Sequence, residues 1–160
     1  MNKIRLFNPH TDSEKVSNIL EKSFSWYHEN DVSNWLYKSL LPNNIVKRCE
    51  RSYCFVCITN KEISGFISFN ISDYGTMYIS LIGVDPKYQG KGIGSLLLEK
   101  AEKFGIKHNV RNIWLLVTHT NIKAISFYIS KKYIPIGTFP NFTKEGLHEI
   151  IMYKELKNKK

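Results

Sequence analysis

VDPKYQGKGIGSLL (residues 84–97) places Gly90, Gly92 and Gly94 at alternate positions between an apolar run and an amphipathic one. Glycine weakens a regular helix or strand by about 0.5–1 kcal/mol relative to alanine. A tight turn needs one or two, so three beside Gln89 and Lys91 ask for a further reason. The stretch reads as a strand end, a short turn through Asp85 and Pro86, and glycines that open a helix. This gathers unpaired backbone N–H groups and the positive end of a helix dipole at one point. Missing side chains let a bulky anion reach the backbone, where each N–H bonded to a charged phosphate contributes roughly 1.5–3 kcal/mol. Lys87 and Lys91 add positive charge. A tight glycine-rich turn with no ligand is the plainer reading of the same residues.

Two other phosphate motifs fail here. The dinucleotide fingerprint needs a third glycine where Ser95 stands, and no acidic residue follows at the distance it requires. The P-loop fails because Lys91 is followed by Gly92 rather than Ser or Thr.

Outward from this stretch, hydrophobic periodicity orders the chain. KIRLF (3–7) alternates as a short strand that Pro9 ends, and residues 11–24 read as a helix capped by Thr11 or Asp12. Helical turns follow at 32–40 and from Pro42 to about Arg51. SYCFVCIT (52–59), ISGFISFNIS (63–72) and MYISLIGVD (77–85), separated by NKE and DYGT, read as an antiparallel meander. Ile93, Leu96, Leu97, Ala101 and Phe104 make the apolar face of the helix that Gly92 opens. NIWLLVT (112–118) is nearly all apolar and reads as a central strand buried on both faces. A helix over 121–132 and closing strands at 133–139 and 148–156 complete the order. Strand, helix, strand from 77 to 118 is a β-α-β unit, so those two strands run parallel. The expected architecture is α/β: a mixed, largely antiparallel sheet with one parallel central pair, flanked by helices, in a single domain over 1–160.

The composition sets bounds. The 160 residues carry 23 Lys and Arg against 14 Asp and Glu, a formal charge of +9, which suits either a nucleic-acid surface or an anion pocket. The basic residues are dispersed, apart from KNKK (157–160), so nucleic acid is not an expected partner. Neither is a membrane: no run approaches the ~20 apolar residues of a bilayer span, and MNKIRLFNPH lacks the apolar region of a signal peptide. Cys49, Cys54 and Cys57 are read as core thiols in a reducing, cytoplasmic compartment; the C-x-x-C spacing lies in a strand-like run without further ligands, so no metal is expected.

VDPKYQGKGIGSLLLEKAEKFG resembles the acetyl-CoA signature of the GNAT N-acetyltransferase superfamily, (Gln/Arg)-x-x-Gly-x-(Gly/Ala), on Gln89, Gly92 and Gly94. A second family motif, Asn-x-x-Ala-x-x-Phe-Tyr, resembles TNIKAISFY on Asn121, Ala124, Phe127 and Tyr128. The resemblance implies acetyl transfer from acetyl-CoA to a primary amine by direct attack in a ternary complex. It implies that the main chain of Ile82, Gly83 and Val84 meets the pantetheine arm like an added strand. Gln89, Gly90, Lys91, Gly92, Ile93, Gly94 and Ser95 would surround the pyrophosphate, and Asn121 would hydrogen-bond the cofactor. An N–H near Ile82 would stabilise the oxyanion, and Tyr128, facing the thioester sulfur, would protonate the leaving thiolate.

The chain also departs from the family pattern. KKY (131–133) replaces the usual Leu-Gly-Phe after the second motif. The ending NFTKEG with Met152 and Leu156 resembles ribosomal-protein N-terminal acetyltransferases, which carry a glutamate in Trp-Leu-Glu-Val; here that position is Leu116. A base is therefore missing there. Tyr78 and Ser80 alternate onto the side of Ile82 and are expected to line the amine site; Glu29, Asp31, His119 and His148 are the other polar candidates. Three functions remain open: a small-molecule amine acetyltransferase, an N-terminal protein acetyltransferase, and a non-catalytic acyl-CoA sensor. The molecule is expected as a monomer or homodimer.

Overall fold

Seven strands form one sheet in the order β1-β2-β3-β4-β5-β7-β6. The structure is a computed structural model that describes residues 1–25 and 34–156. Its strands are β1 (Asn2–Leu6), β2 (Tyr53–Thr59), β3 (Glu62–Ile71), β4 (Thr76–Val84), β5 (Asn112–Thr118), β6 (Ile134–Lys144) and β7 (Leu147–Glu155). Its helices are α1 (Pro9–Ser23), α2 (Asn34–Leu40), α3 (Pro42–Cys49), α4 (Ile93–Lys107) and α5 (Ile122–Ser130). The expected mixed sheet is present. β4 and β5 run parallel, whereas β1–β2, β2–β3, β5–β7 and β6–β7 are antiparallel. No helix among the described residues is long and apolar enough to cross a membrane.

The chain divides into two compact units, Met1–Asn70 with Leu81–Ala101, and Ile71–Ser80 with Glu102–Lys160. In the first, Val16, Ile19 and Leu20 of α1 join Leu40, Ile45, Val56, Phe66 and Leu81 in a buried cluster. Each such side chain contributes about 1.5–3 kcal/mol on burial. Helix α1 begins earlier than its sequence suggests. Asn8 is the N-cap, accepting the His10 N–H at 3.0 Å, and Pro9 sits in the first turn, where its missing N–H costs nothing. Asp12, read as a cap candidate, is buried instead. It pairs with Arg5 at 2.6 Å and accepts the Asn8 N–H at 2.7 Å. Burial alone would raise its carboxyl; the Arg5 guanidinium, the Asn8 N–H and the Thr11 hydroxyl together hold it below the ordinary value.

The cysteines also differ from expectation. Cys49, ending α3, and Cys54, near the start of β2, form a disulfide with Cα atoms 5.6 Å apart, while Cys57 is a buried free thiol. The helix-to-strand turn between them brings the two Cα atoms within bonding reach, which spacing alone does not reveal.

In the second unit, Ile113, Leu115 and Val117 of β5 are buried beside half-buried Asn112, Trp114 and Leu116. β5 is therefore not sealed on both faces, despite its nearly continuous apolar sequence. Gly105 of α4 fits tightly: a Cβ there would stand 3.0 Å from Leu156 and 3.1 Å from Met77.

Candidate active site

The glycine stretch lies in the first unit and has the form its sequence predicts. β4 ends at Val84, and Asp85 caps a 3-10 turn (Pro86–Tyr88) by accepting the Lys87 N–H at 3.1 Å. Asp85 is buried, its own N–H bonded to the Ser64 carbonyl at 2.9 Å, so the turn is fixed to β3. Gln89 reaches back through Nε2 to the Val84 carbonyl at 3.3 Å, which also accepts the Ser23 hydroxyl at 3.0 Å. Gly90 and Gly92 adopt φ of 72° and 80°, a region costly for other residues, and α4 begins at Ile93.

Among the described residues, the N–H groups of Gly90, Gly92, Ile93, Gly94 and Ser95 have no acceptor. A Cβ built on Gly90 or Gly92 meets no described residue within 4 Å, so open space lies beside this backbone among them. An uncrowded row of donors at a helix start fits a pyrophosphate. The flanking lysines differ in availability. Lys87 pairs with Glu62 at 2.6 Å, and this hydrogen bond and charge hold the Glu62 carboxyl below its ordinary value. Its charge is thus already partnered, contrary to the sequence expectation. Lys91 lies 5.4 Å over the Tyr88 ring and has no carboxylate partner among the described residues.

Along β4, Tyr78, Ser80 and Ile82 are half-buried and alternate with buried Met77, Ile79 and Leu81. Two glycines shape the neighbouring backbone. A Cβ on Gly65 would stand 3.0 Å from the Gly83 carbonyl oxygen, and one on Gly83 2.7 Å from Leu20. The β4–β5 ladder runs from Thr76↔Asn112 to Ile79↔Leu115 and ends there, so the main chain of Ile82, Gly83 and Val84 lies beyond it.

In the second unit, Tyr78 packs its ring on Trp114 at 4.3 Å. Asn121 caps α5 by accepting the Ala124 N–H at 3.1 Å, which leaves its Nδ2 without a partner among the described residues. Tyr128 is buried on α5, edge-on to Tyr133 at 5.8 Å. Its hydroxyl makes no hydrogen bond among the described residues, and burial pushes it above the ordinary tyrosine range. Such a hydroxyl stays protonated at neutral pH and can donate. After α5, Lys132 takes φ of 69° where the family has glycine.

The polar candidates fare differently. Glu29 and Asp31 lie outside the described residues. His119 and His148 face each other with ring centroids 5.0 Å apart, and the His148 N–H lies 3.1 Å from His119 Nδ1. Glu149, beside them on β7, is buried and accepts hydroxyls from Thr118 and Thr143, each at 2.7 Å. In the sequence it is one residue of a closing strand and carries no motif. The signal in the sequence is a carboxylate directly before the apolar run Ile150 to Tyr153. A cavity of about 560 Å³ lined by Glu102, Ile106, Lys132, Ile134 and Tyr153, among others, contains none of the expected site residues.

A glycine-opened helix linking two parallel strands of a largely antiparallel mixed sheet defines the fold class of this protein. Residues 14–131 match the model of the Acetyltransferase (GNAT) family, and the chain belongs to that family. It is 29% identical over 107 residues to the streptothricin acetyltransferase of Streptomyces lavendulae, covering 63% of this chain and 57% of that protein. The match thus spans little more than half of that relative's length. PaiA N-acetyltransferase from Thermoplasma acidophilum, solved in complex with coenzyme A, has the same fold with a TM-score of 0.83 and 20% identity over 97% of this chain and 99% of that one. The ribosomal-protein-S18-alanine N-acetyltransferase from Escherichia coli has a TM-score of 0.79 and 23% identity over 98% and 95% of the two chains.

Proposed function

We propose that this protein transfers the acetyl group of acetyl-CoA to a primary amine by direct attack in a ternary complex. The observation that carries the reading is the set of N–H groups of Gly90, Gly92, Ile93, Gly94 and Ser95, which have no acceptor among the described residues and lie beside open space. These groups bind the pyrophosphate, with Lys91 adding charge. The main chain of Ile82, Gly83 and Val84 aligns the pantetheine arm, and Asn121 Nδ2 donates to the cofactor. Acetyl-CoA, when bound, supplies an activated acyl carbon on a thioester. An N–H near Ile82 stabilises the oxyanion, and Tyr128 gives a proton to the departing sulfur. Tyr78 and Ser80 line the path of the amine.

A second reading, a non-catalytic acyl-CoA sensor, draws on Leu116, which offers no base at the position where similar strands carry glutamate. The acceptor spans two scales among the similar proteins: by their names, one acts on streptothricin and another on an alanine of a ribosomal protein. The test is thiol release from acetyl-CoA across small amines and short peptides with free N-termini, together with acetyl-CoA binding by calorimetry. Turnover with any acceptor supports the enzyme. Tight binding with no release from any acceptor supports the sensor, and no binding refutes both.

A further inference from the structure

We infer that Glu149, held by Thr118 and Thr143, is the carboxylate that receives the acceptor's primary ammonium and takes its proton. The inference rests on the acetyltransferase reading above and assigns a residue that neither family motif contains.

Glu149 is 4% exposed, and a buried carboxylate is costly unless paired. The Thr118 and Thr143 hydroxyls both donate to Oε1. Oε2 has no hydrogen-bond donor among the described residues, and no described Lys, Arg or His forms an ion pair with the group. One oxygen is thus positioned by the protein and the other left for a donor. A primary ammonium brings three N–H donors and a positive charge to that oxygen.

The backbone around Glu149 is bent to make this arrangement. In the β6–β7 ladder, Phe139 pairs with Glu149 and Lys144 with Leu147, so Pro140 to Thr143 stand opposite His148 alone. Such a bulge re-aims side chains. Asn141 sits in it at φ 52°, its N–H bonded to His148 Nδ1 at 3.1 Å and its Oδ1 accepting the Gly146 N–H at 2.8 Å. The outcome is a threonine hydroxyl turned onto the carboxylate from β6, matching the one that Thr118 supplies from β5. A carboxylate that served packing alone would be replaceable by Val or Leu, with no bulge and no hydroxyls.

Its position also suits the reaction. Thr118 and Glu149 are direct cross-strand partners, as are Leu116 and Ile151, so all four side chains lie on one sheet face. Glu149 is the diagonal neighbour of Leu116, which has nothing to titrate. Thr118 also anchors α5, because its carbonyl accepts the Asn121 N–H at 2.8 Å, and α5 carries Tyr128.

The step balances. The ammonium gives one proton to the Glu149 carboxylate. The freed nitrogen lone pair forms the C–N bond as the thioester C–S bond breaks. A second amine proton replaces the one that Tyr128 gives to the sulfur, and Glu149 later returns its proton to water.

Glu149→Gln tests this, because the amide oxygen still accepts both threonine hydroxyls while the charge and proton acceptor are lost. Spermidine, lysinamide and an N-terminally free alanyl tripeptide serve as acceptors, with thiol release measured alongside the Kd for acetyl-CoA. The expected result is turnover of at least one of these amines, a fall of roughly 10²- to 10³-fold in kcat/KM for it in the variant, and an unchanged acetyl-CoA Kd. Thr143→Val keeps the charge but loosens it, and should raise the amine KM while leaving the acetyl-CoA KM alone. Equal kcat and amine KM in Glu149→Gln and wild type would overturn the inference while leaving the enzyme reading intact. So would a parallel loss of acetyl-CoA affinity, which marks a structural role. Wild-type protein that binds acetyl-CoA but acetylates none of the three amines also counts against it, and wild-type protein that binds no acetyl-CoA refutes the underlying reading itself.

Discussion

Replacing Gly92 by alanine separates the glycine turn's backbone role from its ligand role. The new methyl meets no atom of a described residue within 4 Å, so packing among these residues does not oppose it. The φ of 80° does, at about 1–2 kcal/mol of folding stability for an L-residue in the left-handed region. The larger effect should fall on the ligand. The open space beside Gly92 is where a pyrophosphate would contact the backbone. A methyl there that displaces it from two neighbouring N–H groups removes roughly 3–6 kcal/mol, at ~1.5–3 kcal/mol for each charge-assisted bond. At about 1.4 kcal/mol per tenfold, that is roughly a 10²- to 10⁴-fold rise in the acetyl-CoA Kd. Gly146, in the β6–β7 turn, is a matched control, with φ of 81° and no described residue within 4 Å of its built Cβ. Urea unfolding and calorimetric titration of both variants make the comparison. Both should lose similar stability, and only Gly92→Ala should lose affinity. If both bind acetyl-CoA like wild type, the glycines serve the turn alone and the pyrophosphate assignment fails.

Two further substitutions have definite expected outcomes. Tyr128→Phe removes a hydroxyl that bonds to no described residue while keeping the buried ring, so stability and acetyl-CoA affinity should hold while kcat falls by roughly 100-fold or more; unchanged turnover in a thiol-release assay would remove the acid role. Lys132→Gly relieves a left-handed lysine at φ 69° after α5 and should stabilise the fold by about 1 kcal/mol in urea unfolding, whereas a loss would mean that the lysine side chain has a structural role.

The legible parts of this protein are those set by neighbours in sequence. β5 is found at Asn112–Thr118 as its apolar run predicts, and the parallel β4–β5 pair follows from strand-helix-strand order. The N-terminus of α1 is not legible in the same way, because Pro9 ends a strand and opens a helix equally well and only the Asn8 cap decides. The rest depends on contacts made only once the chain has folded. Lys87 reads as free charge in the sequence, yet Glu62, 25 positions earlier, pairs with it. The Cys49–Cys54 bond depends on a helix-to-strand turn. Glu149 was hidden in a closing strand because its burial and its two threonines come from the register of β5 and β6 and from a bulge, none of which a periodicity test detects.

The central claim is that the backbone between β4 and α4 holds a pyrophosphate. The most direct measurement is the set of amide resonances of Gly90, Gly92, Ile93, Gly94 and Ser95 during titration with acetyl-CoA. The expected result is that these amides move together and saturate with the calorimetric Kd, and that inorganic pyrophosphate alone moves the same set. Saturable acetyl-CoA binding that leaves all five resonances in place would contradict it.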